Sequence, residues 1–257
     1  MQPSFWGQRI VPGSERRSWR IGRSMIHART EADEWELAAA YSASDEPVPE
    51  PESDDELDWT RYVTVARDEL TVVPALPDRP VVVRPASPIV ILPGRWGRFF
   101  FRVPLWTRFI SKRGERESIM EEFSSRRLAS TWFGDIATGE LCYVVEAPLE
   151  RDLERLVMDG SFAACEVSVR NNSRERLRFE RICVHVEHMR LFRAPDRLWT
   201  NEVRVSFRGA DQISQVSYAS GPPERAGASE EIAEPRTPPE SGLIKRSFAL
   251  IREIAGM

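Results

Sequence analysis

Residues 163–192 read AACEVSVRNNSRERLRFERICVHVEHMRLF, and this stretch decides the fold class. Cys165, Val167 and Val169 alternate with polar neighbours up to Asn171-Asn172-Ser173, and Leu177 and Phe179, then Ile182, Val184 and Val186, alternate out again. A period of two puts every second side chain on one face of a strand, so the pattern predicts a long antiparallel hairpin with one buried face. Between Phe179 and Ile182 the apolar spacing slips from two residues to three, which predicts a β-bulge near Glu180 and Arg181.

The same alternation recurs on both sides. Residues 24–29 and 34–41 read as a second hairpin turning at 30–33, with further strands expected at 61–66, 69–73, 81–84, 88–92, 98–103, 201–207 and 212–218. Prolines 74, 77, 80, 85, 88 and 93 interrupt the chain too often for a helix of ordinary length to fit between them. Residues 115–123 fit helix and strand equally, and 151–158 read as a short helix. At the C-terminus Ser241 can cap a helix in which Ile244, Phe248, Ile251 and Ala255 form one stripe. The expected fold is therefore mainly all-β: an antiparallel β-sandwich-like two-sheet domain over residues 1–219, with a C-terminal amphipathic helix over 242–257.

Composition separates two acidic stretches from this body. Of the 257 residues 41% are hydrophobic and the net charge is -4, yet residues 44–58 alone carry -8 and residues 220–241 carry -3, leaving +7 on the remainder. Both stretches are rich in Pro and poor in apolar side chains, so they are expected to be a disordered acidic loop and a flexible linker. No apolar run reaches the roughly 18 residues of a membrane-spanning helix. The Arg-rich first 23 residues lack a signal-peptide core, so a cytoplasmic protein is expected. Cys142, Cys165 and Cys183 are odd in number and widely spaced, which favours buried reduced thiols over a disulfide framework.

The segments Trp132-Phe133-Gly134-Asp135 and Thr138-Gly139-Glu140-Leu141-Cys142-Tyr143, followed by Cys165-Glu166-Val167, Asn171-Asn172-Ser173 and Leu198-Trp199-Thr200, resemble an uncharacterised prokaryotic family, domain of unknown function number four hundred and thirty-two. The resemblance implies a β-rich fold and no catalytic residue. Members are sometimes encoded near mechanosensitive channels, which implies a membrane-protein partner.

Chemistry-bearing motifs are scarce. No phosphate-binding Gly-rich loop, Gly-x-Ser-x-Gly elbow or His-Glu-x-x-His motif occurs, and three His give a nucleophilic triad few bases. On a strand His185 and Glu187 share a face while His188 points away, so their spacing predicts no metal site, and no cofactor is expected. Residues 134–139 read as a turn, or as a recognition loop that would present Asp135 and Glu140. Residues 95–116 carry a local +6, with Arg95, Arg98, Arg102 and Arg108 interleaved with Trp96, Phe99, Phe100, Phe101, Trp106 and Phe109. That mixture suits either an amphipathic strand or a nucleic-acid or polyanion surface. Arg outnumbers Lys 34 to 2 across the chain, which weakens the meaning of any one Arg cluster. Charge segregation suggests that the 44–58 loop folds over the 95–116 surface. The expected role is a non-enzymatic module binding a protein or peptide, through loops, a sheet edge or the helix residues Ile244, Phe248 and Ile251. Polyanion binding is the alternative, and an uncharacterised enzyme comes third.

Overall fold

The computed structural model describes residues 5–13, 15–31, 34–43, 46–63, 68–113, 115–134, 137, 139–145, 148–209 and 214–238, and the backbone of 248–250. It is mainly β. In chain order the strands are β1 (Arg9–Ile10), β2 (Arg17–Ile21), β3 (Ser24–Glu31), β4 (Glu34–Tyr41), β5 (Thr60–Tyr62), β6 (Glu69–Ala75) and β7 (Val81–Val83). Next come β8 (Ile89–Ile91), β9 (Trp96–Pro104), β10 (Trp106–Arg113), β11 (Arg116–Ser124), β12 (Ser130–Phe133), β13 (Glu140–Val144) and β14 (Phe162–Asn171). The last are β15 (Leu177–Val184), β16 (Leu191–Arg193), β17 (Leu198–Thr200), β18 (Val203–Phe207), β19 (Gln215–Tyr218), β20 (Glu230–Ala233) and β21 (Phe248–Leu250).

The sequence reading placed residues 1–219 in one β-rich domain; the contacts of the folded chain gather into two compact units. The first comprises Met1–Ala75, Pro104–Arg127 and Asp159–Ser161. It holds two antiparallel sheets, β1-β6-β10-β11 and β2-β3-β4-β5. Apolar side chains from the two sheets meet between them: Trp19 of β2 lies edge-on to Phe109 of β10, with ring centroids 5.8 Å apart. The expected 24–29/34–41 hairpin is β3-β4, and 115–123 resolves as a strand in β11, paired along its length with β10. The β2-β3 turn needs glycine at position 22, where φ is +63° and a Cβ would lie 2.8 Å from the Ser125 carbonyl oxygen.

The second unit, Leu76–Val103, Leu128–Met158 and Phe162–Met257, also holds two sheets. One runs β12-β13-β7-β15-β21 with β8 added on β15, and the other runs β19-β18-β14-β17-β16-β20 with β9 added on β14. Phe99 of β9 stands perpendicular to Phe179 of β15 at 6.1 Å, so these sheets share a core as well.

Here one expectation is corrected. The two alternating runs of 163–186 are strands, but they do not form a hairpin: β14 belongs to one sheet and β15 to the other. The ladder groups of β14 are taken by β9 and by β17 and β18, both of which run parallel to it, while β15 pairs with β7, β8 and β21. The connection is shaped by Asn171, whose amide donates to the carbonyls of Ile91 and Glu175 and whose Oδ1 accepts from the Ser173 backbone N–H. The bulge is where the spacing put it, as a register shift between Phe179 and Arg181.

Both acidic stretches carry more structure than their composition suggested. In the first, Ser53 caps a short 3-10 turn, Asp54–Glu56, and Asp54 pairs with Arg16 and Arg29 rather than with residues of 95–116. In the second, a 3-10 turn at Glu224–Ala226 is followed by β20, which pairs with β16. The short helix expected at 151–158 is reduced to a 3-10 turn, Leu153–Arg155. The C-terminal helix expected over 242–257 lies mostly outside the described residues, and its described part, Phe248–Leu250, is a strand added to the edge of β15.

Candidate functional site

The Arg and aromatic segment does not form one surface. Phe99, Phe100 and Phe101 of β9 and Phe109 of β10 are buried, as is Trp106, so these rings belong to cores and not to a stacking platform. Four of the segment's seven cations are tied down. Arg98 pairs with Glu166 at 2.8 Å, Arg102 donates to the Val157 carbonyl at 2.6 Å and lies over Phe162, and Arg108 pairs with Glu122. Lys112 pairs with Glu117 at 3.3 Å. Arg95 is exposed, and Trp96 is the large exposed aromatic of the segment, at 60%.

Trp96 borders a shallow groove, and the Arg98 guanidinium lies 5.6 Å from its ring centroid. On the outer face of the second unit, Ser168 and Arg170 of β14, Arg204 and Ser206 of β18 and Gln215 and Ser217 of β19 stand in register across three strands. Their inward neighbours Val167, Val169, Val203, Val205 and Val216 are buried, which fixes the outward direction of the polar set. With Trp96 and Glu202 they line a groove of about 460 Å³. Within it Glu202 accepts from Ser168 at 2.9 Å and pairs with Arg204 at 2.7 Å. Burial alone would raise the Glu202 carboxyl, but hydrogen bonds from Arg204 and Ser168 hold it below its ordinary value. On the same face of β14 as Ser168, Glu166 is buried and pairs with Arg98 at 2.8 Å and Arg225 at 2.9 Å.

A second cluster lies in the sheet β12-β13-β7-β15. Glu140 and Cys142 occupy alternate positions of β13; Cys183 in β15 and His185 just beyond it repeat that spacing, so each pair shares a face. The strand β7 runs between, pairing with both, and Val82 with Phe133 packs against the two thiols. The sulfurs are 3.7 Å apart, Cys183 Sγ is 3.9 Å from Glu140 Oε1, and His185 Nε2 contacts the two Glu140 oxygens at 2.8 and 3.0 Å. Cys142, Cys183 and His185 are buried, whereas the Glu140 side chain is one-third exposed. The hydrogen bond with the Cys142 thiol, followed by burial, pushes the Cys183 thiol well above its ordinary range. His188 stacks with His185 at 6.1 Å, but its Nδ1 turns to the Thr237 carbonyl at 2.8 Å. Residues Val186–His188 form a 3-10 turn, which replaces the strand face expected there.

Of the residues singled out in the sequence, Trp96, Arg98 and Glu140 take part in these two arrangements. Arg95 and Arg102 lie elsewhere on the second unit, and Trp106 and Arg108 belong to the first. Asp135, Ile244 and Ile251 fall outside the described residues, and Phe248 is described as β-strand backbone. Sequence reading missed Cys142, Cys183 and His185 as a group, and Arg170 and Arg204 as groove residues. The signal for the first was the matched spacing Glu140-x-Cys142 and Cys183-x-His185. No helix among the described residues is long and apolar enough to cross a membrane. A family model with the description "Protein of unknown function (DUF432)" matches residues 5–252. Neither the curated proteins nor the solved structures provide a match.

Proposed function

From the chain's membership of the DUF432 family, whose description carries no activity, we propose that the protein is a non-enzymatic interaction module that binds an extended peptide segment of a protein partner across the β14-β18-β19 face. The observation that carries this reading is the groove beside Trp96. A raised indole next to outward rows of Ser, Gln and Arg offers one apolar anchor and several hydrogen-bonding positions at strand spacing. Among the described residues β19 ends its sheet, so an added strand has backbone groups to pair with. Arg204 is held by Glu202, and the exposed Arg170 beside it favours a peptide carrying a carboxylate near its apolar anchor. The polyanion alternative is less well supported, because Arg98, Arg108 and Lys112 are already paired with carboxylates.

A displayed random-peptide library selected on the whole protein tests this. The expected result is a shared extended motif whose binding weakens at least about tenfold in Trp96→Ala and in Arg170→Glu, both at exposed positions where folding tolerates change. Failure to enrich any motif, or equal binding by both variants, overturns the reading. Oligonucleotide binding with a steep salt dependence transfers the assignment to polyanions.

A further inference from the structure

We propose that Glu140, Cys142 and Cys183, with His185 as the residue that positions Glu140, form a binding site for one divalent cation of the zinc class. The inference does not depend on the peptide groove. Cys142 Sγ, Cys183 Sγ and a Glu140 oxygen all lie within 4.8 Å of one another, close enough to share one central ion. Two zinc–sulfur bonds of about 2.3 Å at a tetrahedral angle set the sulfurs about 3.8 Å apart, and the observed separation is 3.7 Å.

A disulfide suits the backbone less well. Cys142 and Cys183 stand on the two strands flanking β7. Strands one place removed in a sheet lie about 9–10 Å apart, whereas a disulfide asks for Cα atoms within about 7 Å. An ion between the sulfurs spans that gap without moving either strand.

The donor set decides the ion. Two thiolates with a carboxylate select a borderline-soft dication such as Zn²⁺ over Mg²⁺ or Ca²⁺, which prefer all-oxygen shells. On binding, each thiol gives up its proton to solvent, so two thiolates and one carboxylate face the 2+ ion. Val82 and Phe133 furnish the dry wall behind the sulfurs, and the partly exposed Glu140 carboxylate marks the way in. His185, buried and hydrogen-bonded to both Glu140 oxygens, orients that carboxylate as outer partners of metal ligands do. Three protein donors leave a fourth position for water or a partner's side chain.

The test uses the full chain, stripped with a chelator and titrated with Zn²⁺ and with Co²⁺. The expected results are one ion per chain, a thiolate-to-cobalt charge-transfer band and release of protons on binding. Glu140→Gln is expected to weaken binding by about tenfold or more. Cobalt binding without the thiolate band, unchanged binding in the Cys142→Ser/Cys183→Ser double variant, or a Cys142–Cys183 disulfide in place of metal uptake overturns the proposal. Should the double variant misfold, the cobalt titration of the unaltered protein decides the matter, since absence of the thiolate band also overturns it.

Discussion

The two units each hold a polar cluster, and the clusters are built from different chemistry. In the first, Glu36 of β4 lies directly opposite Arg29 of β3 and Arg61 of β5, so the two neighbouring strands each bring a cation to one carboxylate. Glu36 accepts from Arg29 at 2.8 Å and from Arg61 at 3.2 Å, Asp54 closes on the far side of Arg29 and on Arg16, and the Trp59 ring lies 4.3 Å from the Arg29 guanidinium. Cations and anions there satisfy one another. The cluster of the second unit brings together two cysteine sulfurs and a carboxylate oxygen within 4.8 Å of one another, with an imidazole hydrogen-bonded to that carboxylate. Charges of opposite sign paired across neighbouring strands serve stability, whereas soft sulfur donors converging with a carboxylate are a donor set for a ligand.

The largest effect expected from breaking this contrast comes at Glu36. Its side chain is 5% exposed, so Glu36→Ala removes the buried partner of Arg29, which keeps Asp54 and Glu31, and one partner of the exposed Arg61. The loss is expected to be about 1–2 kcal/mol, read from urea unfolding. Acid sharpens the same point. Burial would raise the Glu36 and Asp54 carboxyls, but hydrogen bonds from Arg29 with Arg61, and from Arg16 with Arg29, hold both below their ordinary values. A carboxyl depressed in the folded state lends stability that is complete above its unfolded-state value and is lost as pH falls through the folded one. Unfolding midpoints should therefore be level above about pH 5 and decline as pH falls through the ordinary carboxyl range and below it, and Glu36→Gln should flatten that decline. Asp54 is 39% exposed, so Asp54→Asn is expected to cost only about 0.5–1 kcal/mol, and less at high salt.

What was legible in the sequence follows the same division between local pattern and distant partner. Alternation located β3 to β9, β14, β15, β18 and β19 but not β1, β2, β10, β16, β17 or β20, and the three-residue slip after Phe179 located a register shift, because both signals are written within a few residues. Alternation also gave β14 and β15 a buried face each, yet it carries no information about which strand shares the ladder; the inference of a hairpin failed there. Composition marked 44–58 as acidic, but a net charge says nothing of the individual pairs that Asp54 makes with Arg16 and Arg29. Cys142 and Cys183 are 41 positions apart and meet because β7, from earlier in the chain, is inserted between their strands. The groove was half legible: Trp96 stood out, while Arg170 and Arg204 became its neighbours only through the parallel pairing of β14 with β18.

The third cysteine supplies the smallest expected effect and an internal control for the cluster. Cys165 sits on β14, fully buried, and burial pushes its thiol up to about 12, partly opposed by a hydrogen bond with Thr200. Only the thiolate is alkylated at an appreciable rate, and at pH 8 a thiol of that kind is ionised in about 1 molecule in 10,000. Native-state labelling with iodoacetamide, read by peptide mass spectrometry, should therefore leave Cys165 unmodified both with and without Zn²⁺, and Cys165→Ser should leave the thiolate-to-cobalt band unchanged. Loss of the band in that variant would mean that the ion acts on the whole unit. A band that depends on Cys142 and Cys183 alone traces the ion to the two sulfurs that face each other across β7.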